Sequence, residues 1–114
     1  MAMDLKFDTS PNGITVVNLT GTLDALGAQA IDLKFNAISG SQNKIIVNME
    51  KVDYLSSMGI RTIIMGAKVV QRNNGKMVIV QPNSDVEKVL SESGVDTLIP
   101  IFQDIGSAEK LLLE

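Results

Sequence analysis

A chain of 114 residues with a net charge of −3 holds one domain, and its 10 scattered Lys and Arg form no basic patch of the kind nucleic-acid binding needs. It has no cysteine and no histidine, which excludes disulfides, thiolate nucleophiles, the usual zinc sites and imidazole acid–base chemistry. Its apolar runs, such as 45–47 and 63–65, are too short to cross a bilayer, and no charged start leads into an apolar signal segment, so a cytoplasmic protein is expected.

Hydrophobic residues make up 45% of the chain and aromatics 4%, so Ile, Val, Leu and Met must fill the core. Folding a domain of this size buries somewhat more than about 60% of the surface its unfolded chain exposes. No repeat, low-complexity segment or linker interrupts it, so residues 1–114 are read as a single domain.

The opening predicts a hairpin. Leu5-Lys6-Phe7 alternates in character, Ser10-Pro11-Asn12-Gly13 signals a turn, and the β-branched segment 14–19 follows, ended by Thr20-Gly21. A helix is expected over 25–38 with Asp24 as N-cap, its inner stripe Leu26, Ala30, Leu33 and Ala37, closed by Ser39-Gly40-Ser41. Residues 44–49 form the next strand. The unbroken Ile45-Ile46-Val47 run places it centrally, with both faces covered.

A helix over 57–72 presents Ile60, Ile63, Ile64, Ala67 and Val70 to the core, and Asn73-Asn74-Gly75 stops it, with Gly75 at the left-handed position. A strand over 76–80 and a helix over 84–93, capped by Ser84 and ended by Gly94, come next; Val86, Val89 and Leu90 are its apolar positions. Residues 98–102 predict a last strand, at an edge because Pro100 has no amide to donate. A final helix over 104–113 turns Ala108, Leu111 and Leu112 inward. The alternation implies an α/β fold: a mixed, twisted sheet of about four or five strands with helices mainly on one face and the other face partly covered.

With no imidazole or thiol, hydroxyls and carboxylates remain for function. Ser56 and Ser57 stand at the start of a predicted helix. Either can simply be an N-cap, accepting an amide left unpaired in the first turn. Alternatively, one is a phosphoacceptor, because free amides and the positive end of the helix dipole tolerate a phosphate there. A nucleophilic serine is a weaker third reading, since no histidine is present to act as base. Gly59 and Gly66, seven apart, suggest close packing of that helix. Met49, Met58, Met65 and Met77 are read as core filler and Tyr54 as partly buried.

Leu55-Ser56-Ser57-Met58-Gly59-Ile60-Arg61 resembles the phosphorylation-site region of STAS domains, a family of bacterial anti-sigma factor antagonists, stressosome subunits and cytoplasmic tails of sulphate transporters. Leu19-Thr20-Gly21-Thr22-Leu23-Asp24 resembles the family's loop after the second strand, Gly75-Lys76-Met77-Val78-Ile79-Val80 the strand after its switch helix, and residues 86–102 its C-terminal third. The resemblance implies a single STAS-like domain that is no enzyme and carries no cofactor of its own.

It further implies partner switching. The unphosphorylated form binds an anti-sigma factor that is also a serine kinase, freeing a sigma factor; ATP and Mg²⁺ belong to the kinase, and a serine phosphatase resets the switch. Family position makes Ser57 the acceptor, two residues before Gly59, with Ser56 as alternative. Many members carry Asp where Ser56 stands, and Ser or Thr where Met58 stands. Thr22, Asp24, Ser56, Ser57, Met58 and Gly59 would form the partner surface, Asp24 serving as cap, kinase contact or both. A docking or scaffold subunit of a transporter or stressosome-like complex, with no phosphoswitch, is the alternative implied.

Overall fold

A computed structural model describes residues 2–114. Strands β1 (Asp4–Thr9), β2 (Thr15–Leu23), β3 (Lys44–Leu55), β4 (Lys76–Val80) and β5 (Ile101–Phe102) lie side by side in that order in one sheet. Helices α1 (Ala25–Ser41), α2 (Ser57–Arg72), α3 (Ser84–Glu92) and α4 (Ile105–Leu113) connect or follow them, with a short 3-10 turn at Val95–Thr97. β1 and β2 form the expected antiparallel hairpin, and every later pairing is parallel.

The Ile45-Ile46-Val47 run behaves as a doubly covered strand should. Ile45, Val47 and Met49 face the main core with Ile31 and Phe35 of α1, Ile63 and Val70 of α2, and Leu90 of α3. Ile46 points the other way, into a smaller cluster with Ile14, Val78, Val80 and Ala108 and Leu112 of α4. Three helices thus pack on one face and α4 on the other. Beyond α4, that second face is polar: Asn48 donates to Asn18 Oδ1 at 3.0 Å, in the open.

Several boundaries differ from expectation for identifiable reasons. Thr20-Gly21 does not end β2. Gly21 has φ +117°, a conformation side chains rarely adopt, and the pairing with β3 slips on either side of it. It is a bulge glycine inside a strand that continues to Leu23. β3 likewise runs past Met49 to Leu55 as its partner. α1 passes through Ser39-Gly40-Ser41, because Ser39 turns inward and donates to Phe35 O at 2.8 Å. The left-handed residue after α2 is Asn74 (φ 62°), not Gly75; a Cβ at Gly75 would collide with the Asn43 backbone, so its role is close approach. Asn83, not Ser84, caps α3, accepting from Val86 N at 2.8 Å. The last strand is shortened to Ile101–Phe102 by the 3-10 turn, but it lies at the edge as Pro100 requires.

The largest correction concerns α1. Leu26, Ala30, Leu33 and Ala37 all face solvent, and the buried stripe is Ala28, Ile31, Phe35 and Ile38. The helix carries an apolar stripe on two faces, and spacing alone cannot say which one meets the sheet. α2 needs less revision: Ile63, Ala67 and Val70 are buried, with Ile60 and Ile64 packed against them. In α4, Ala108 and Leu112 are buried and Leu111 packs beside them. Its cap, Asp104, accepts from Ser107 N at 2.8 Å, which with the Ser107 hydroxyl holds its carboxyl below the ordinary carboxylate range.

Candidate functional site

Parallel pairing brings the ends of β2 and β3 together, with Leu23 opposite Leu55 and Thr22 opposite Tyr54. Each strand passes directly into a helix, so the first turns of α1 and α2 emerge side by side at the carboxyl edge of the sheet. In open α/β sheets that edge is where binding groups gather.

Both helices open on a side-chain cap. Asp24 Oδ1 accepts from Gly27 N at 2.8 Å, and Ser56 Oγ accepts from Gly59 N at 3.2 Å. Each relieves one of the amides stranded in a first helical turn. Ser56 is also tied across to β2. Its backbone N–H donates to Leu23 O at 2.9 Å and its hydroxyl donates to the same oxygen at 3.0 Å. The Ser56 hydroxyl therefore has its one proton and an acceptor lone pair engaged, and its residue is half-buried.

Ser57, one position on, is the first residue of α2 and is exposed; its side chain has no hydrogen-bond partner among the described residues. Ser56 is thus the cap, and Ser57 presents a hydroxyl to solvent at the positive end of a 16-residue helix. Gly59 lets the first turn of α2 settle onto the end of β2, since a Cβ there would lie 2.7 Å from both Leu23 Cγ and Leu23 O. Thr22 Oγ1 donates to Asp53 Oδ1 at 2.9 Å, bridging the two strand ends.

Thr22, Asp24, Ser56, Ser57, Met58 and Gly59 are thereby gathered at one end of the molecule. Asp53 and the Leu23 carbonyl belong to the same cluster and escape a sequence reading, because both owe their place to the pairing of β2 with β3. Tyr54 and Met58 are exposed rather than buried, as is Met65, whereas Met49 and Met77 are core residues. A groove of about 400 Å³ runs between α1 and α2, lined in part by Leu26, Asp32, Met58, Arg61 and Met65. Among the described residues, no group of acidic side chains is arranged to hold a metal ion, and no helix is long and apolar enough to cross a membrane.

The family model for the STAS domain matches residues 8–108. The chain belongs to the STAS-domain family. One relative, an anti-sigma F factor antagonist from Paenibacillus polymyxa, is 24% identical over 94 residues, covering 81% of this chain and 80% of its own. Among solved structures, an anti-sigma factor antagonist from Mycobacterium paratuberculosis superposes with a TM-score of 0.89 at 16% identity, covering 99% of this chain and 96% of that one. The Bacillus cell fate determinant SpoIIAA in its phosphorylated form gives 0.72 at 18% identity over 95% and 99% of the two chains. A sulfate transporter family protein from Wolinella succinogenes gives 0.77 at 15% identity over 93% and 92%. The STAS fold is therefore shared along nearly the whole chain, by proteins of both signalling and transport.

Proposed function

We propose that this STAS-domain protein is an anti-sigma factor antagonist whose partner binding is switched by phosphorylation of Ser57. The observation that carries the reading is the division of labour at the start of α2: Ser56 is committed to the cap and to Leu23, while Ser57 stands exposed with its hydroxyl unengaged. The relative named as an anti-sigma F factor antagonist and the neighbour solved in a phosphorylated form support it.

In the unphosphorylated state the surface formed by Thr22, Asp24 and residues 56–58, seated on the buried Gly59, binds an anti-sigma factor that is also a serine kinase. The kinase transfers the γ-phosphoryl group of its own Mg²⁺-ATP: a bond forms between Ser57 Oγ and phosphorus, the bond to the ADP oxygen breaks, and the serine proton is released. A serine phosphatase reverses the modification by hydrolysis. The fold tolerates the phosphate because a helix N-terminus favours an anion. The energetic cost falls on the interface, where a dianion must be desolvated against the partner unless a cation receives it. A penalty of about 3 kcal/mol would weaken binding roughly a hundredfold.

Calorimetry against the cognate anti-sigma kinase tests this, with circular dichroism as the folding control. Ser57→Ala is expected to bind like the native protein and to resist phosphorylation. The phosphorylated protein is expected to bind about a hundredfold more weakly, and Ser57→Asp to bind weakly as a partial mimic. Equal affinity for the native, Ala and phosphorylated forms would overturn the switch and favour docking to a transporter or stressosome-like assembly.

A further inference from the structure

The outer face of α1 has an arrangement that the fold itself does not use. Leu33 is 87% exposed and Leu26 76%, and Ala30 and Ala37 between and beyond them are exposed as well. At 3.6 residues per turn, this stripe lies about 150° around the helix from the buried one. It therefore points away from the sheet, and among the described residues no helix or strand covers it, with Ala2 and Met3 bordering its Leu26–Ala30 end.

The order of the four side chains says what would cover it. Leu26, Ala30, Leu33 and Ala37 are separated by four, three and four positions, the spacing of a coiled-coil seam. They alternate large and small. Placed against an antiparallel copy of itself, the stripe matches about a two-fold axis lying between residues 31 and 32. Leu26 then meets Ala37 of the second copy, and Ala30 meets its Leu33, so each large side chain faces a small one throughout. Alternation of large and small across facing positions is what lets two helix surfaces interdigitate, and self-matching about a two-fold is the defining property of an isologous interface. A parallel pairing would set Leu on Leu and Ala on Ala, so the leucine layers would hold the helices apart and leave the alanine layers underfilled.

The flanks are compatible. The seam carries no charge, and Lys34 beside it is already occupied, donating to Leu5 O at 3.2 Å and lying over the Phe7 ring.

We infer that the α1 outer face is a homodimer interface in which two copies of the chain pair antiparallel through Leu26, Ala30, Leu33 and Ala37. One pair of 17-residue helices covers less than the ~1,200 Å² that bounds standard interfaces from below. The dimer is accordingly weak and forms reversibly with concentration. Leu26 lines the groove that Met58 borders and, with Ala30, a hollow that Thr22 and Asp24 share, so one end of the seam adjoins the proposed partner surface; self-association of the protein alone is nevertheless read without the kinase and separates the dimer from the phosphoswitch.

Sedimentation equilibrium between about 10 µM and 1 mM, the range of weak association, reads the dimer directly. The native protein is expected to rise from monomer mass toward dimer mass. Leu33→Lys, a change at an exposed position that leaves the fold intact by circular dichroism, is expected to weaken association at least tenfold. Because the chain has no cysteine, register can be read separately by mixing Ala30→Cys and Leu33→Cys proteins and oxidising them. The antiparallel pairing predicts that the disulfide joining the two different variants predominates. A native protein that stays monomeric across the range overturns the inference and assigns the stripe to a different partner. Association that survives Leu33→Lys overturns it too, as does a predominance of disulfides between identical variants.

Discussion

At the head of α2, two adjacent residues of the same type have different tasks because one lies inside the turn and the other begins the helix. Ser56 can cap only with its backbone extended, φ −97° and ψ 171°, and that conformation also aims its hydroxyl at Leu23 O. Ser56→Ala removes both bonds and should cost about 0.5–2 kcal/mol of stability, the range for losing a cap. Asp24→Ala removes the equivalent bond to Gly27 and should cost a similar amount in thermal unfolding. If Asp24 also contacts the kinase, its replacement will lower partner affinity by more than it lowers stability. A loss of stability with affinity preserved would leave Asp24 as a cap alone. The serine pair and Asp24 were legible in the sequence as candidates, but which serine was the cap was not, because Leu23 O comes from a strand 33 residues away.

Between elements, the α1–α2 contact is set by small residues. Gly59 rests on Leu23, and a Cβ on Gly66 would strike the ring of Phe35 and come within 2.9 Å of Ser39 Oγ. Alanine gains about 1 kcal/mol over glycine in a helix interior. Overpacking a filled core costs about 1–3 kcal/mol, and Phe35 is fully enclosed, so the collision wins and Gly66→Ala should lower the melting temperature. Gly40, at the far end of α1, has open space where a Cβ would go. Gly40→Ala should therefore raise stability by up to about 0.5–1 kcal/mol. Thermal denaturation of the two variants side by side checks the argument: the same chemical change should carry opposite signs. The seven-residue spacing of Gly59 and Gly66 already suggested close packing. Phe35 as the residue packed against Gly66 could not be read from spacing, because α1 offers two apolar stripes.

Across the whole molecule, one sheet separates a large core from a small one, and the small one depends on α4. Leu112 and Ala108 close over Ile14, Ile46, Val78 and Val80. Leu112→Ala should cost about 2–5 kcal/mol, the range for a buried leucine, against a total stability of about 5–15 kcal/mol for a domain. Urea unfolding should remain a single transition, since Ile46 and Val78 lie on two neighbouring inner strands and losing their cover loosens both faces. A separate early transition would mean that α4 detaches without the sheet. The order of elements, the α/β class, the central position of β3, the edge position of β5 and the Asp24 cap all follow from the sequence alone, because periodicity, capping chemistry and proline's missing amide act over a few neighbouring residues. Tertiary structure alone decided that β2 continues through the Gly21 bulge, that Ile31 and Phe35 rather than Leu26 and Leu33 are buried, and that Ser57 is the serine left with its hydroxyl unengaged. Each of these depends on a partner distant in the chain: β3 for the bulge, the sheet and α2 for the α1 face, and the Leu23 carbonyl for Ser56. Local pattern states what a residue can satisfy, whereas pairing determines which group is there to satisfy it.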